Sequence, residues 1–261
     1  MFVERIRKAV SETGATLCVG LDPHLSRLPA GVDATPEGVR GFLFRIIDQT
    51  YESAAVYKPN SAFFECLGPS GMEVLGDVIR HAHDAHRPVI LDAKRCDIAS
   101  TAAAYAQAAF THLGADALTI VPYTGEDTVL PFVDAGGFVF LLALPSNPGA
   151  AAIVRHGNPP LYLRVAELGQ QISSQYPDQV GLVVGATDPQ AAKAVADTGD
   201  GMPWLVPGIG AQGGDLSAFC STVGDGQMLI FNASRSVIFA DDPGEAARQL
   251  RGRIQRECTD A

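Results

Sequence analysis

Short apolar runs of four to seven residues alternate with longer amphipathic stretches along the whole chain, and no other feature restricts the fold as much. A run this apolar is how a parallel strand reads when helices cover both faces of its sheet. Eight runs are legible, at residues 15–21, 54–58, 88–92, 117–121, 138–144, 180–184, 204–207 and 228–231. Helical patterns fill intervals between them, at 35–51, 71–85, 100–112, 161–175 and 243–256. Eight strand-plus-helix units in 261 residues predict an α/β fold of the (β/α)8 TIM-barrel type. With 47% hydrophobic residues the chain can bury a core of that size, and no linker, low-complexity block or short repeat divides it. A single barrel domain over residues 1–261 is expected.

Such barrels carry their functional groups on the loops that follow the strands. Here Asp22 follows the first run, Lys58 and Asn60 the second, Asp92 and Lys94 the third, Ser146 and Asn147 the fifth, a glycine cluster the seventh, and Asn232 to Arg235 the eighth. A doubly wound sheet would instead gather ligand groups at one switch point.

The densest chemistry lies in Asp92-Ala93-Lys94-Arg95-Cys96-Asp97. A strand period of two sends Asp92 and Lys94 to one face, so two opposite charges share one wall at the end of a buried strand. Asp97 stands where a helical pattern begins, and can cap that helix or approach the same ammonium. Lys58 ends the neighbouring strand and would face the same rim. A structural ion pair with a helix cap is the plain alternative.

Gly208-Ile209-Gly210-Ala211-Gln212-Gly213 fits a dinucleotide-binding pattern, but only about fifty residues follow it, too few for the rest of such a domain. As the loop after the seventh strand it fits a phosphate site better. Backbone amides and Gln212 can approach an anion there, and Arg235 can grip it bidentately.

A net charge of −10 and a pI near 5.0 argue against a nucleic-acid partner. No stretch reaches the roughly 18 apolar residues of a membrane span, and the N-terminus has no signal-like apolar segment, so a soluble cytoplasmic protein is expected. Five scattered cysteines (18, 66, 96, 220 and 258) without a Cys-x-x-Cys pair suit reduced thiols rather than a disulfide framework or a zinc site. His81, His83 and His86 do not share one helix face, which suits a solvated surface; no metal is expected.

Asp92-Ala93-Lys94-Arg95-Cys96-Asp97-Ile98-Ala99-Ser100-Thr101 resembles the signature of the orotidine 5'-monophosphate decarboxylases. Tyr57-Lys58-Pro59-Asn60, Val206 to Gly214, and Ser234-Arg235-Ser236 fall in that family's order. The resemblance covers most of the chain and is greatest to the longer bacterial branch, which includes mycobacterial members. It implies a TIM barrel that converts orotidine 5'-monophosphate to uridine 5'-monophosphate in pyrimidine biosynthesis without cofactor or metal. It further implies a homodimer whose sites borrow residues from the partner.

By position, Lys58, Asp92, Lys94 and Asp97 resemble the family's catalytic tetrad, with Lys94 as proton donor and Asp97 supplied by the other subunit. Ile98 and Thr101 would reach the partner's substrate too. Asp22 and Lys58 would bind the ribose, Ser146 the pyrimidine, Pro207 would pack beside the ring, and Gln212 with Arg235 would hold phosphate. Two positions depart from many shorter members: Leu144-Pro145 precedes Ser146 in place of Glu-Met, and Ser234 precedes Arg235 in place of glycine.

Two other functions compete. A magnesium-dependent sugar-phosphate decarboxylase or aldolase of the related barrels shares the Asp-x-Lys-x-x-Asp pattern, but Lys58 would repel a metal there, and loss of activity to a chelator would favour that reading. A non-catalytic nucleotide-binding barrel would keep the phosphate loops without needing the charged tetrad.

Overall fold

The structure is a computed structural model, and it describes residues 1–199, 201–209, 215–224 and 227–258. Eight parallel strands form one sheet: β1 (Leu17–Leu21), β2 (Val56–Pro59), β3 (Ile90–Arg95), β4 (Ala117–Ile120), β5 (Phe138–Leu144), β6 (Val180–Val184), β7 (Trp204–Pro207) and β8 (Leu229–Ala233). Their order is β2-β1-β8-β7-β6-β5-β4-β3. Isolated parallel bridges between Tyr57 and Val89 and between Asn60 and Asp92 bring β2 against β3, so the sheet rolls into a TIM barrel.

Strand alternation divides the core in two. Tyr57, Leu91, Leu118 and Leu141 face outward into the layer between sheet and helices. Cys18, Val56, Ile90, Ala117, Phe138, Phe140, Val183, Leu205 and Ile230 fill the barrel itself. The outward Tyr57 hydroxyl donates to the Ile47 carbonyl (3.1 Å) and pairs with Thr50 Oγ1 (2.8 Å), both in helix Pro36–Thr50. That anchor fixes β2 so that its next residue, Lys58, points inward. The same parity continues toward the strand C-termini, where the interior turns polar.

The N-terminal end of the barrel is plugged by helix Phe2–Thr13, whose Phe2, Val3 and Ile6 join the interior cluster. The Phe2 ring packs on Phe138 with centroids 4.7 Å apart. Arg5 of this helix pairs with Asp116, just before β4.

Three expectations need correction. Cys220 and Cys258 form a disulfide with sulfurs 2.05 Å apart; helices Leu216–Val223 and Pro243–Cys258 pack together and bring Cα atoms 38 residues apart in sequence to 5.3 Å. Cys18, Cys66 and Cys96 remain free. His86 is exposed, but the other two histidines are not simply solvated: His81 stacks on Phe44 and pairs with Asp48 (2.7 Å), and His83 meets Asp116 (2.8 Å). Asp116 thereby joins the plug helix, β4 and helix Pro69–Asp84. Finally, the helix expected at 100–112 is α-helical only over Ala99–Ala106 and widens into a π-turn over Gln107–His112. Among the described residues no helix is long and apolar enough to cross a membrane.

Candidate active site

At the C-terminal mouth of the barrel, inward positions of four neighbouring strands are Gly20, Lys58, Asp92 and Thr119. Gly20 is required by packing, since a Cβ there would lie 2.7 Å from Ser234 Cβ. Asp92 is the hub. Its Oδ2 accepts from Lys58 Nζ at 2.7 Å, and its Oδ1 accepts from Lys94 Nζ at 2.6 Å and from Thr119 Oγ1 at 2.9 Å.

Lys94 does not reach this position by regular strand geometry. The pairing of β3 with β4 shifts register between Leu91 and Arg95, and Lys94 has a left-handed backbone with φ 47°. Such a conformation costs a non-glycine residue about 1–2 kcal/mol and persists only where neighbours hold it. Here the Lys94 N–H donates to Thr119 Oγ1 at 3.0 Å.

The charges sustain one another. Burial alone would raise the Asp92 carboxyl, but Lys58 and Lys94 outweigh it and hold the group well below the ordinary carboxylate range. Burial would likewise lower Lys58, yet Asp92, with Asp22 behind it, holds its ammonium above the usual lysine value. Beneath them the Cys18 thiol is pushed up to about 12 by burial, so it stays neutral and donates to Asn232 Oδ1 (3.3 Å).

The array opens into a cavity of about 240 Å³. Asp22, Lys58, Asp92 and Lys94 line one side; Leu142, Val183 and Leu205 form an apolar floor; Ser146, Asn147, Pro207 and Asn232 complete the rim. Asp22 Oδ1 is buried and has no hydrogen-bond donor among the described residues, as expected of a group that accepts from a ligand hydroxyl. A larger cavity of about 570 Å³ adjoins across Pro145, Ser146 and Asn147, giving a ligand longer than the first cavity room to extend.

Of the other residues picked out from sequence, those that are described lie outside this cavity. Arg235 is exposed at the start of helix Arg235–Ile238, just beyond β8. Gln212 falls outside the described residues. Asp97 neither caps the following helix nor contacts Lys94 of its own chain, which corrects both expectations for it. Its Oδ1 accepts from the adjacent Ile98 N–H (2.8 Å), Ile98 is the N-cap residue, and Ala99, the first residue of the helix, has a left-handed backbone (φ 40°). Ile98 is 60% exposed and Thr101 is exposed. Thr119 was not anticipated. Its signal was present, as the lone hydroxyl at an inward position of an otherwise apolar run.

Fold and site together define a TIM-barrel protein whose strand ends hold a cation–carboxylate–cation array beside a ligand-sized cavity. Such an array is an electrostatic device suited to stabilising a developing negative charge. The chain belongs to the Orotidine 5'-phosphate decarboxylase / HUMPS family, whose sequence model matches residues 15–250. It is 41% identical over 258 residues to the orotidine 5'-phosphate decarboxylase of Herpetosiphon aurantiacus, covering 96% of this chain and 95% of that one. To the corresponding protein of Thermomicrobium roseum it is 42% identical over 271 residues, covering 98% and 95%. The solved structure of Leishmania donovani OMP decarboxylase superposes with a TM-score of 0.88 at 40% identity, covering 100% of this chain and 99% of that one.

Proposed function

We propose that this chain decarboxylates orotidine 5'-monophosphate to uridine 5'-monophosphate and CO2 in pyrimidine biosynthesis. It acts in the cytoplasm as a single-domain barrel and as a homodimer, with no metal or cofactor. One observation carries the reading. Asp92 is clamped between two ammonium groups of unequal exposure at the cavity: the Lys94 side chain is 45% exposed, the Lys58 side chain 5%.

When the C6–carboxylate bond breaks, CO2 leaves and the electron pair stays on C6, in an orbital the ring π-system cannot delocalise. The Lys94 ammonium, bonded to Asp92, offsets that charge in a water-poor site and then delivers its proton to C6. Lys58 donates to the ribose hydroxyls and Asp22 accepts from them, Ser146 addresses the pyrimidine, and Pro207 packs beside it. Gln212 and Arg235 hold the phosphate, whose binding energy favours closure over the site. A magnesium-dependent reading fits less well, because both oxygens of Asp92 already bind ammonium groups.

Asp97, Ile98 and Thr101 act in the partner's site, which accounts for their position outside their own cavity and for the exposure of Ile98. Subunit mixing tests this. Lys94→Ala and Asp97→Ala homodimers should each be inactive, while an equal mixture allowed to exchange should recover about a quarter of wild-type turnover, since half the dimers are mixed and each mixed dimer has one intact site. No recovery would place Asp97 in its own chain's site. Arg235→Ala should weaken uridine 5'-monophosphate binding about 10- to 100-fold while leaving uridine binding unchanged, as measured by calorimetry.

A further inference from the structure

We infer that Thr119 is a positioning residue for Lys94, an inference that rests on the proposed role of Lys94 as proton donor. The Thr119 hydroxyl belongs to a closed ring of hydrogen bonds. The Lys94 N–H donates to Thr119 Oγ1 (3.0 Å), Thr119 Oγ1 donates to Asp92 Oδ1 (2.9 Å), and that same oxygen accepts from Lys94 Nζ (2.6 Å). One hydroxyl thus fixes both ends of the lysine, its left-handed backbone directly and its ammonium through the carboxylate.

A group in this slot must accept and donate at once, because it faces a backbone N–H on one side and a carboxylate on the other. Among side chains that fit such a buried space, only a serine or threonine hydroxyl does both well. Thr119 is 1% exposed and comes from β4, the strand beside β3, whose flanking Leu118 and Ile120 are buried in the layer between sheet and helices. Its β-branched side chain has a restricted χ1, which keeps the hydroxyl aimed without help from other partners. The register shift between Leu91 and Arg95 is what brings the Lys94 N–H across to Thr119 instead of into the regular ladder. The hydroxyl therefore stabilises the irregular backbone that points the ammonium into the cavity.

The test compares Thr119→Val, Thr119→Ser and Lys94→Ala with the wild-type protein. Turnover is expressed per site that binds uridine 5'-monophosphate, so that unfolded protein does not count. Thr119→Val should lower kcat about 10- to 100-fold, the usual cost of misplacing a reacting group by a fraction of an ångström to one ångström, with KM changed less than about 3-fold. Thr119→Ser should restore kcat to within about 5-fold of wild type. A merely structural role would reduce the number of binding sites and leave kcat per site unchanged, and that result would overturn the inference. Should Thr119→Val not fold, Thr119→Cys replaces it. Its thiol is close to serine in size but a poor hydrogen-bond partner, so kcat should fall about 10-fold or more below Thr119→Ser, and equal values would again overturn the inference. Lys94→Ala separates the two levels. If it retains turnover the proposed proton donor is wrong; if it is inactive while Thr119→Val is normal per site, only the role of Thr119 fails.

Discussion

Lys94→Ala should lower kcat by roughly 10,000-fold or more, since one substitution removes both the charge facing C6 and the proton that C6 receives. Binding of uridine 5'-monophosphate should stay within about 3-fold of wild type, because the lost interaction is made chiefly in the transition state. Lys94→Arg distinguishes the two contributions. It keeps a positive charge but cannot release a proton near neutral pH, so turnover should remain abolished if proton delivery is required. Following the absorbance of orotidine 5'-monophosphate, with calorimetry for the nucleotide, measures both quantities. Turnover close to wild type in Lys94→Ala would mean that another group protonates C6.

The second large effect is on stability. In Asp92→Ala the Lys58 ammonium loses the carboxylate 2.7 Å away and stays buried in the barrel interior with no ion-pair partner but the more distant Asp22. Removing one partner of a buried pair costs about 3–5 kcal/mol. In a chain of this length that lowers Tm by roughly 10 °C. Replacing both partners in Lys58→Met/Asp92→Leu should recover most of the loss without recovering activity, because an apolar pair of similar volume needs no counter-charge.

The pH dependence follows from the directions of the shifts. In the wild type Asp92 is depressed from 3.8, so its contribution is present above that value and lost as pH falls through the folded value. Lys58 is raised from 10.5, so its contribution is complete below 10.5 and lost as pH climbs through the folded value. The pair therefore adds no slope to stability between about pH 5 and pH 9. In Asp92→Ala the larger attraction is gone, only Asp22 remains to oppose burial, the largest influence on Lys58, and the ammonium should fall below its ordinary value; the unfolded chain then binds more protons, and stability should rise from pH 7 to pH 10. Thermal melts across that range check the contrast. A flat profile in the variant would mean that Lys58 is solvated rather than buried.

The strands and the charge array were legible because they rest on local rules. Runs such as Phe138–Leu144 and Val180–Val184 are apolar without interruption, and both form strands with the bounds read from sequence. Lys58 and Asp92 follow from strand parity once β2 and β3 are neighbours. Lys94 reached the expected face for a different reason: parity gave the side, while the actual path is a left-handed residue in a register shift that no local pattern announces.

What stayed hidden depends on long-range contact. Cys220 and Cys258 are 38 residues apart and meet only because two helices pack. His83 and Arg5 share Asp116 across elements separated by most of the first half of the chain. The plug helix Phe2–Thr13 was not among the helices read from sequence, and the spacing of Phe2, Ile6 and Ala9 does not say which end of the barrel it would close. Thr119 looked like a strand residue, and its importance lies in a carboxylate and a backbone amide of the neighbouring strand.

The central claim is that Lys94 passes a proton between its ammonium and ring carbon 6 under the field of the Lys58–Asp92–Lys94 array. The reverse of that step can be observed without CO2. Uridine 5'-monophosphate incubated with the protein in D2O should exchange its C6 hydrogen for deuterium, followed by proton NMR, and Lys94→Ala should show no exchange above the protein-free rate. Exchange at equal rates with and without Lys94 would contradict the account.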